Sequence, residues 1–180
     1  MFNHPVDETS GNNKANYTIE GAVVANASVN SANKNEVTLT LAQGGTRSSG
    51  LRNLEISNVH AENSLATQPN IVVPIELKEN VKPTVTAAES AGENEVLLTF
   101  SEAIEPTTIS NTSFIVAVNR MQVDVSNATM QSNNTQVILK IPVNKDSGNR
   151  IRIKAGSTVN AVKDLSGNVL DFTEISYVEK

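Results

Sequence analysis

Residues 135–141 read TQVILKI, and within this stretch Val137, Leu139 and Ile141 fall at every second position. Side chains on a β-strand alternate between the two faces of a sheet, so these three apolar residues share one face. The stretch 95–100, EVLLTF, shows the same alternation earlier in the chain. Both stretches predict strands that bury one face.

Short stretches of this kind recur along the chain, separated by polar turns rich in Gly, Asn and Ser. No stretch of about a dozen residues keeps the periodicity of an amphipathic helix with caps. Many short strands at close spacing are typical of a β-sandwich. The further predicted strands are 16–19, 36–41, 54–59, 71–77, 84–88, 113–118, 122–125, 150–154 and 172–178.

The chain also matches itself at an offset near 100 residues. Four pairs of segments keep the same order: 2–7 with 100–105, 16–19 with 113–116, 24–28 with 125–129, and 37–41 with 137–141. Because the four matches are co-linear with little drift, they indicate an internal repeat. We therefore predict two domains, residues 1–80 and 81–180.

The repeat also predicts a missing part of the first domain. The second copy has two strands before Phe100, whereas only Met1 precedes Phe2, the matching residue of the first copy. The first domain is therefore expected to lack its opening strands, which leaves an unpaired sheet edge that invites pairing with another chain.

Composition argues against several classes of function. The net charge is −5, and the one modest basic cluster, Arg150, Arg152 and Lys154, is expected to form a solvated strand face, so no nucleic-acid partner is predicted. Cys is absent, which excludes disulfides and thiolate metal sites. No run approaches the roughly 18 apolar residues of a membrane span, so no membrane insertion is predicted.

The candidate catalytic residues favour a protein that is not an enzyme. Ser101, Glu102 and Glu105 follow a predicted strand, but their flanks are polar, and paired carboxylates become acid and base when burial separates their pKa values. The two histidines, His4 and His60, fall in different loops, and neither lies beside a Gly-flanked Ser. We predict no catalytic residue and no required cofactor.

Three segments of the second copy stand out: TFSEAIEP at 99–106, NTSFIV at 111–116 and VKDLSGN at 162–168. In these segments the second copy resembles the Ig-like repeat of bacterial S-layer and related cell-surface proteins. The resemblance implies a non-catalytic spacer or array-forming module that is extracellular, on the cell surface or cell wall. The implied partners are neighbouring copies or adjacent domains of the same surface protein.

Calcium often stiffens such proteins, and the resemblance makes it a candidate ligand here. The weak candidates are Asp164, Asn168 and Asp171, whose side chains offer hard oxygen atoms. Calcium takes six to eight oxygens, more than this loop supplies by itself. The alternative is a turn in which Gly167 is left-handed and Asp164 accepts hydrogen bonds from backbone amides.

A binding module is the alternative function: an adhesin, or a carbohydrate-binding accessory module of a secreted enzyme. Sugar platforms usually need an exposed Trp or Tyr ring, and Trp is absent. Tyr17 and Tyr177 are the two tyrosines, and Tyr17 aligns with Phe114 in the repeat, which predicts a core position.

Overall fold

Alternating apolar residues form antiparallel strands throughout the computed structural model, which describes residues 1–64, 66 and 69–180. The chain divides into two compact units, Met1–Val81 and Lys82–Lys180. Among the described residues, helical structure is confined to the short helix α1, Glu8–Gly11, and to 3-10 turns at 14–16, 106–108 and 159–161.

The strands of the first unit are β1 (Tyr17–Ile19), β2 (Val24–Val29), β3 (Val37–Leu41), β4 (Gly50–Ile56) and β5 (Ile71–Leu77). Those of the second unit are β6 (Val85–Gly92), β7 (Glu95–Phe100), β8 (Phe114–Val118), β9 (Met121–Val123), β10 (Asn127–Met130), β11 (Gln136–Lys140), β12 (Arg150–Ala155) and β13 (Glu174–Val178).

The second unit is a sandwich of two antiparallel sheets, with strand orders β10-β11-β7-β6 and β13-β12-β8-β9. The register places Val137 opposite Leu98 and Leu139 opposite Val96, so their side chains share one face. All four residues are fully buried, in one cluster with apolar residues of the facing sheet. Full burial of each aliphatic side chain contributes about 1.5–3 kcal/mol, so these strands hold the sandwich together.

The first unit has a smaller sandwich, built from the sheet β1-β4-β5 and the hairpin β2-β3. Its buried core cluster contains Val6, Tyr17, Ala27 and Val59. Within the described residues of this unit, no strand corresponds to β6 or β7 of the second unit. The prediction of an all-β sandwich fold is confirmed.

Equivalent backbone hydrogen bonds relate the two units. The N–H of Phe2 donates to the C=O of Asn35 at 2.7 Å, and the N–H of Phe100 donates to the C=O of Thr135 at 2.8 Å. The N–H of Val6 donates to Lys34, and that of Ile104 to Asn134, at 2.9 and 2.8 Å. The sequence offset of about 100 residues therefore corresponds to a repeated three-dimensional arrangement.

Some predicted strand bounds differ from the structure. The sequence predicts a strand at 54–59, whereas β4 begins at Gly50 and ends at Ile56. β4 has these bounds because it pairs with β5 along its whole length. β9 covers Met121–Val123 and not 122–125. β2 and β10 form strands that periodicity did not predict, since each is defined by its pairing with the next strand of the chain.

Candidate functional site

The two loops that carry the sequence resemblance meet in the second unit. Ile104, which is fully buried, forms an antiparallel bridge with Asp164. The N–H of Glu105 donates to the C=O of Lys163 at 2.8 Å, and the N–H of Lys163 donates to Oγ1 of Thr108 at 3.1 Å. Residues about sixty positions apart therefore form one connected region.

Asp164 organises the loop that contains it. Its side chain is buried, and its Oδ1 accepts hydrogen bonds from the N–H groups of Ser166 and Asn168, both at 2.8 Å. Its Oδ2 accepts from Nδ2 of Asn168 at 2.8 Å. Gly167 has φ +96°, a left-handed conformation that glycine adopts readily. This geometry is that of a hydrogen-bonded turn.

The structure brings Asp164 and Asn168 together and adds Glu102, whose carboxylate oxygen lies within 4.8 Å of that of Asp164. It gives Asp171 a different role: its N–H donates to the C=O of Pro83 at 2.9 Å, beside a parallel bridge to Thr84. Asp164 already accepts three hydrogen bonds, so this loop does not complete a calcium shell of six to eight oxygens on its own. Calcium binding stays the alternative to this hydrogen-bonded turn.

Sequence reasoning grouped Glu102 with Ser101 and Glu105, and the structure separates their contacts. Ser101 Oγ accepts from the N–H of Thr84 at 3.0 Å. The Glu105 carboxylate accepts from the hydroxyl of Thr107 at 3.2 Å. Both contacts order the loop, and neither places an acid opposite a base. The sequence held no signal for the proximity of Glu102 to Asp164, because it depends on two loops meeting in the fold.

The histidines lie on separate segments of the first unit. His4 is exposed, and His60 is half-buried, with its N–H donating to Ser10 Oγ at 3.1 Å. Near His60, Asp7 caps helix α1, accepting from the N–H of Ser10 at 2.8 Å. Hydrogen bonds from Ser10 lower the pKa of Asp7. These contacts stabilise the local fold.

A buried polar cluster in the second unit was not predicted from the sequence. The Lys145 side chain has no exposed surface, and its Nζ lies 3.4 Å from Oε2 of Glu179. The same ammonium donates to Oγ of Ser90 at 3.1 Å and to the C=O of Gly92. A lone Lys in a polar loop gives no sequence signal for burial, because its partners lie far away in the chain.

This cluster borders a surface pocket of about 370 Å³ that is lined in part by Ser90, Tyr177 and Glu179. Burial opposes ionisation of Glu179, but hydrogen bonding from Ser90 and the charge of Lys145 outweigh it and lower its pKa. Lys145 Nζ thus donates hydrogen bonds to Ser90 and Gly92 and forms an ion pair with Glu179, so it ties three segments of the unit together.

The two tyrosines both take part in the packing of their units. Tyr17 is buried, as its alignment with Phe114 predicts, and its hydroxyl donates to the C=O of Gly11 at 2.9 Å. Burial raises the pKa of Tyr17 to about 12. Tyr177 is half-buried and packs against the core of the second unit. Both rings contribute to packing.

The basic residues of β12 face solvent in ion pairs. Arg152 Nε lies 3.2 Å and Lys154 Nζ 3.6 Å from the carboxylate of Glu174, on the paired strand β13. These side chains are 39–50% exposed, so the pairs contribute little to stability. They match the solvated strand face expected for Arg150, Arg152 and Lys154.

Among the residues that the structure describes, no helix is long and apolar enough to span a membrane.

Comparison with known proteins gives one family match. A family model described as a bacterial Ig-like domain matches residues 55–177. No curated protein matches the sequence.

Solved structures of S-layer proteins are similar to part of the chain. The S-layer protein rSbsC(31-844) has a TM-score of 0.50 at 10% identity, over 55% of this chain and 14% of that chain. The N-terminal part of the bacterial S-layer protein SbsC has a TM-score of 0.49 at 10% identity, over 55% of this chain and 24% of that one. This chain therefore spans less than a quarter of those structures, and at such identity the likeness concerns the fold alone.

Proposed function

Because this chain belongs to the bacterial Ig-like domain family, we propose that it is a non-catalytic structural module of a bacterial surface protein, acting as a spacer or an array-forming repeat. The resemblance found in the sequence is thereby confirmed at the level of the family. The module would lie outside the cell, on the cell surface or cell wall. Its partners would be neighbouring copies or adjacent domains of the same protein.

One observation carries this proposal: the same sandwich frame occurs twice in tandem. The N···O distances of the hydrogen bonds Phe2–Asn35 and Phe100–Thr135 differ by only 0.1 Å, although few equivalent positions carry the same residue in both copies. Units that repeat a backbone frame while their loops diverge are suited to setting a spacing, since the frame determines the length of each module.

The polar groups of the second unit also support a structural role. Lys145, Glu179 and Asp164 are each held by hydrogen bonds or an ion pair within the fold. Groups committed in this way stabilise loops and strand ends. We propose that the role requires no cofactor, and that any calcium bound near Asp164 would stiffen this loop.

Self-assembly of the whole chain tests the proposal against its alternative. Sedimentation velocity at increasing concentration, with electron microscopy of any assemblies, reports array formation, and a glycan array reports sugar binding. Ordered assemblies support an array-forming repeat, and a monomer that binds no glycan supports a spacer. Specific glycan binding that survives Tyr17→Phe and is lost on substitution of a surface loop would contradict the structural role and favour the adhesin or carbohydrate-binding module.

A further inference from the structure

A surface pocket of the first unit brings two arginines together. The pocket has a volume of about 430 Å³ and lies between the turn that joins β1 to β2, the loop that joins β3 to β4, and the start of β4. Its lining includes Gly21, Arg47, Ser48 and Arg52, and no acidic side chain lines it within the described part of the chain. Two guanidinium groups therefore border one concave surface that has no carboxylate in its lining.

The positive charge of this pocket is not neutralised within the fold. Lys34, also in the first unit, pairs with the carboxylates of Glu8 and Glu62. By contrast, neither Arg47 nor Arg52 forms an ion pair with any residue that the structure describes. Like charges repel each other, and an anion bound between the two guanidinium groups would offset this repulsion. The pocket is thus a local site for an anion in a chain whose net charge is −5.

The Arg52 side chain is held in place by neutral acceptors. Its Nη1 donates to the C=O of Leu51 at 2.8 Å, and its Nη2 donates to the C=O and the Oγ of Ser48 at 3.2 and 2.7 Å. A guanidinium carries more N–H donors than these bonds use, and the Nε–H of Arg52 has no acceptor among the described residues. Because the side chain is already ordered, a ligand that bonds to it costs little conformational entropy.

Ser48 adds a hydroxyl to the donors of the pocket, on a loop that is anchored to the fold. Its Oγ accepts from Arg52, which leaves its own proton for another acceptor. The loop that carries Arg47 and Ser48 begins beside Thr46, which is buried and whose N–H donates to Oδ1 of Asn80 at 2.9 Å. The N–H of Asn80 donates back to the C=O of Thr46 at 2.9 Å. These contacts fix the start of the loop.

Glycine at position 21 keeps the free donor of Arg52 accessible. Gly21 has φ +70°, a backbone conformation that glycine adopts readily. A Cβ at this position would lie 3.5 Å from Nε of Arg52. Any longer side chain at position 21 would therefore cover the Nε–H from that side, and glycine leaves the space to a ligand.

We propose that this pocket binds a single phosphate group, either as the free ion or as part of a phosphate ester. Guanidinium groups form charge-assisted hydrogen bonds with phosphate oxygens. A tetrahedral anion has enough oxygens to accept from Arg47, from Nε of Arg52 and from the Ser48 hydroxyl at once. The volume of about 430 Å³ exceeds that of one phosphate group, so there is room for the organic part of an ester. The inference goes beyond the proposed function, and neither depends on the other.

The test adds sodium phosphate to the whole chain at constant ionic strength, with sodium chloride as the reference salt. The NMR signal of the Arg52 Nε–H is the measurement, because this donor gains an acceptor on binding. We expect a saturable shift with a dissociation constant of about 1–10 mM, and no saturable shift with chloride. Methyl phosphate distinguishes the two sources. Binding at least as tight as that of inorganic phosphate assigns the site to a phosphate ester, and weaker binding assigns it to the free ion.

Variants of the chain separate this pocket from a general effect of charge, with the backbone amide signal of Ser48 as the reporter. Arg47→Gln removes a guanidinium that has no hydrogen bond within the described fold, and we expect it to weaken phosphate binding at least about fivefold. Arg52→Gln should weaken it about tenfold, and circular dichroism verifies that this variant is folded. Arg150→Gln is the matched control, because it removes the same charge from an exposed arginine of the second unit, and it should bind phosphate as the native chain does.

Two results would overturn the assignment. One is a phosphate titration that does not saturate or that matches the chloride titration. The other is an Arg47→Gln variant that binds phosphate as tightly as Arg150→Gln does, because the arginines of this pocket would then not hold the anion.

Discussion

Replacing Lys145 by methionine tests the buried ion pair of the second unit. The Lys145 side chain is 0% exposed and donates to Ser90 and Gly92 beside Glu179, which retains 11% exposure. Removing one partner of a buried pair costs roughly 3–5 kcal/mol, because the other charge is left uncompensated. Methionine fills the volume of the lysine stem, and the residual exposure of Glu179 lets water solvate it in part. We therefore expect a loss of about 2–4 kcal/mol.

Urea unfolding followed by tyrosine fluorescence measures this loss in the unit concerned. The chain contains two tyrosines and no tryptophan, so a Tyr17→Phe background leaves Tyr177 as the reporter of the second unit. The midpoint should fall while the slope stays constant. In thermal unfolding the same loss corresponds to a Tm decrease of at least about 8 °C for a domain of this size.

Lys154→Met is the matched control, since Lys154 is half-exposed and lies 3.6 Å from Glu174. Its effect should stay within about 0.5 kcal/mol. Adding Glu179→Gln to Lys145→Met removes the uncompensated charge and should recover about half of the loss. A loss below about 1 kcal/mol for Lys145→Met, or a double variant as unstable as the sum of the two single ones, would refute the reasoning.

Three further predictions concern pH, packing and calcium. The pKa values of Asp7 and Glu179 are lowered in the fold, so each carboxylate contributes stability above its unfolded pKa, and this stability is lost as pH falls through the folded pKa. Unfolding followed below about pH 4 should show the loss of stability, and Asp7→Asn should make stability depend less on pH. A Cβ on Gly156 would lie 2.2 Å from the C=O of Thr112, so Gly156→Ala should cost about 1–3 kcal/mol, and undiminished stability in urea would contradict this. Calorimetry with millimolar calcium and then a chelator should give Tm values within roughly 1 °C of each other, and an increase that Asp164→Asn abolishes would instead establish a metal site.

The alternation of apolar residues was enough to predict the central strands. Val96, Leu98, Val137 and Leu139 carry the signal, and their side chains are fully buried. The fold class follows from such stretches, because period-two patterns suit only strands. The offset between the copies is reflected in equivalent backbone hydrogen bonds, such as Phe2 to Asn35 and Phe100 to Thr135.

Features that depend on distant partners were not predictable. β10, Asn127–Met130, has only four residues, two of them polar, and its strand conformation depends on pairing with β11. The burial of Lys145 depends on Ser90 and Glu179, which lie on other segments. The proximity of Glu102 to Asp164 requires two loops to meet. Local pattern carries no information on such contacts.

The contacts at the end of the second unit bear on how it responds to tension. Glu179 exchanges two backbone hydrogen bonds of 2.9 Å with Gly148 and Asn149, and its carboxylate pairs with Lys145. A force applied at Lys180 acts on these contacts before it reaches β13. The pairs of β13 with β12 begin at Val178↔Arg150, and without these contacts they would break one after another. We therefore expect the ion pair of Lys145 with Glu179 to raise the force needed to separate β13 from β12. Acidification that protonates Glu179 is expected to lower that force.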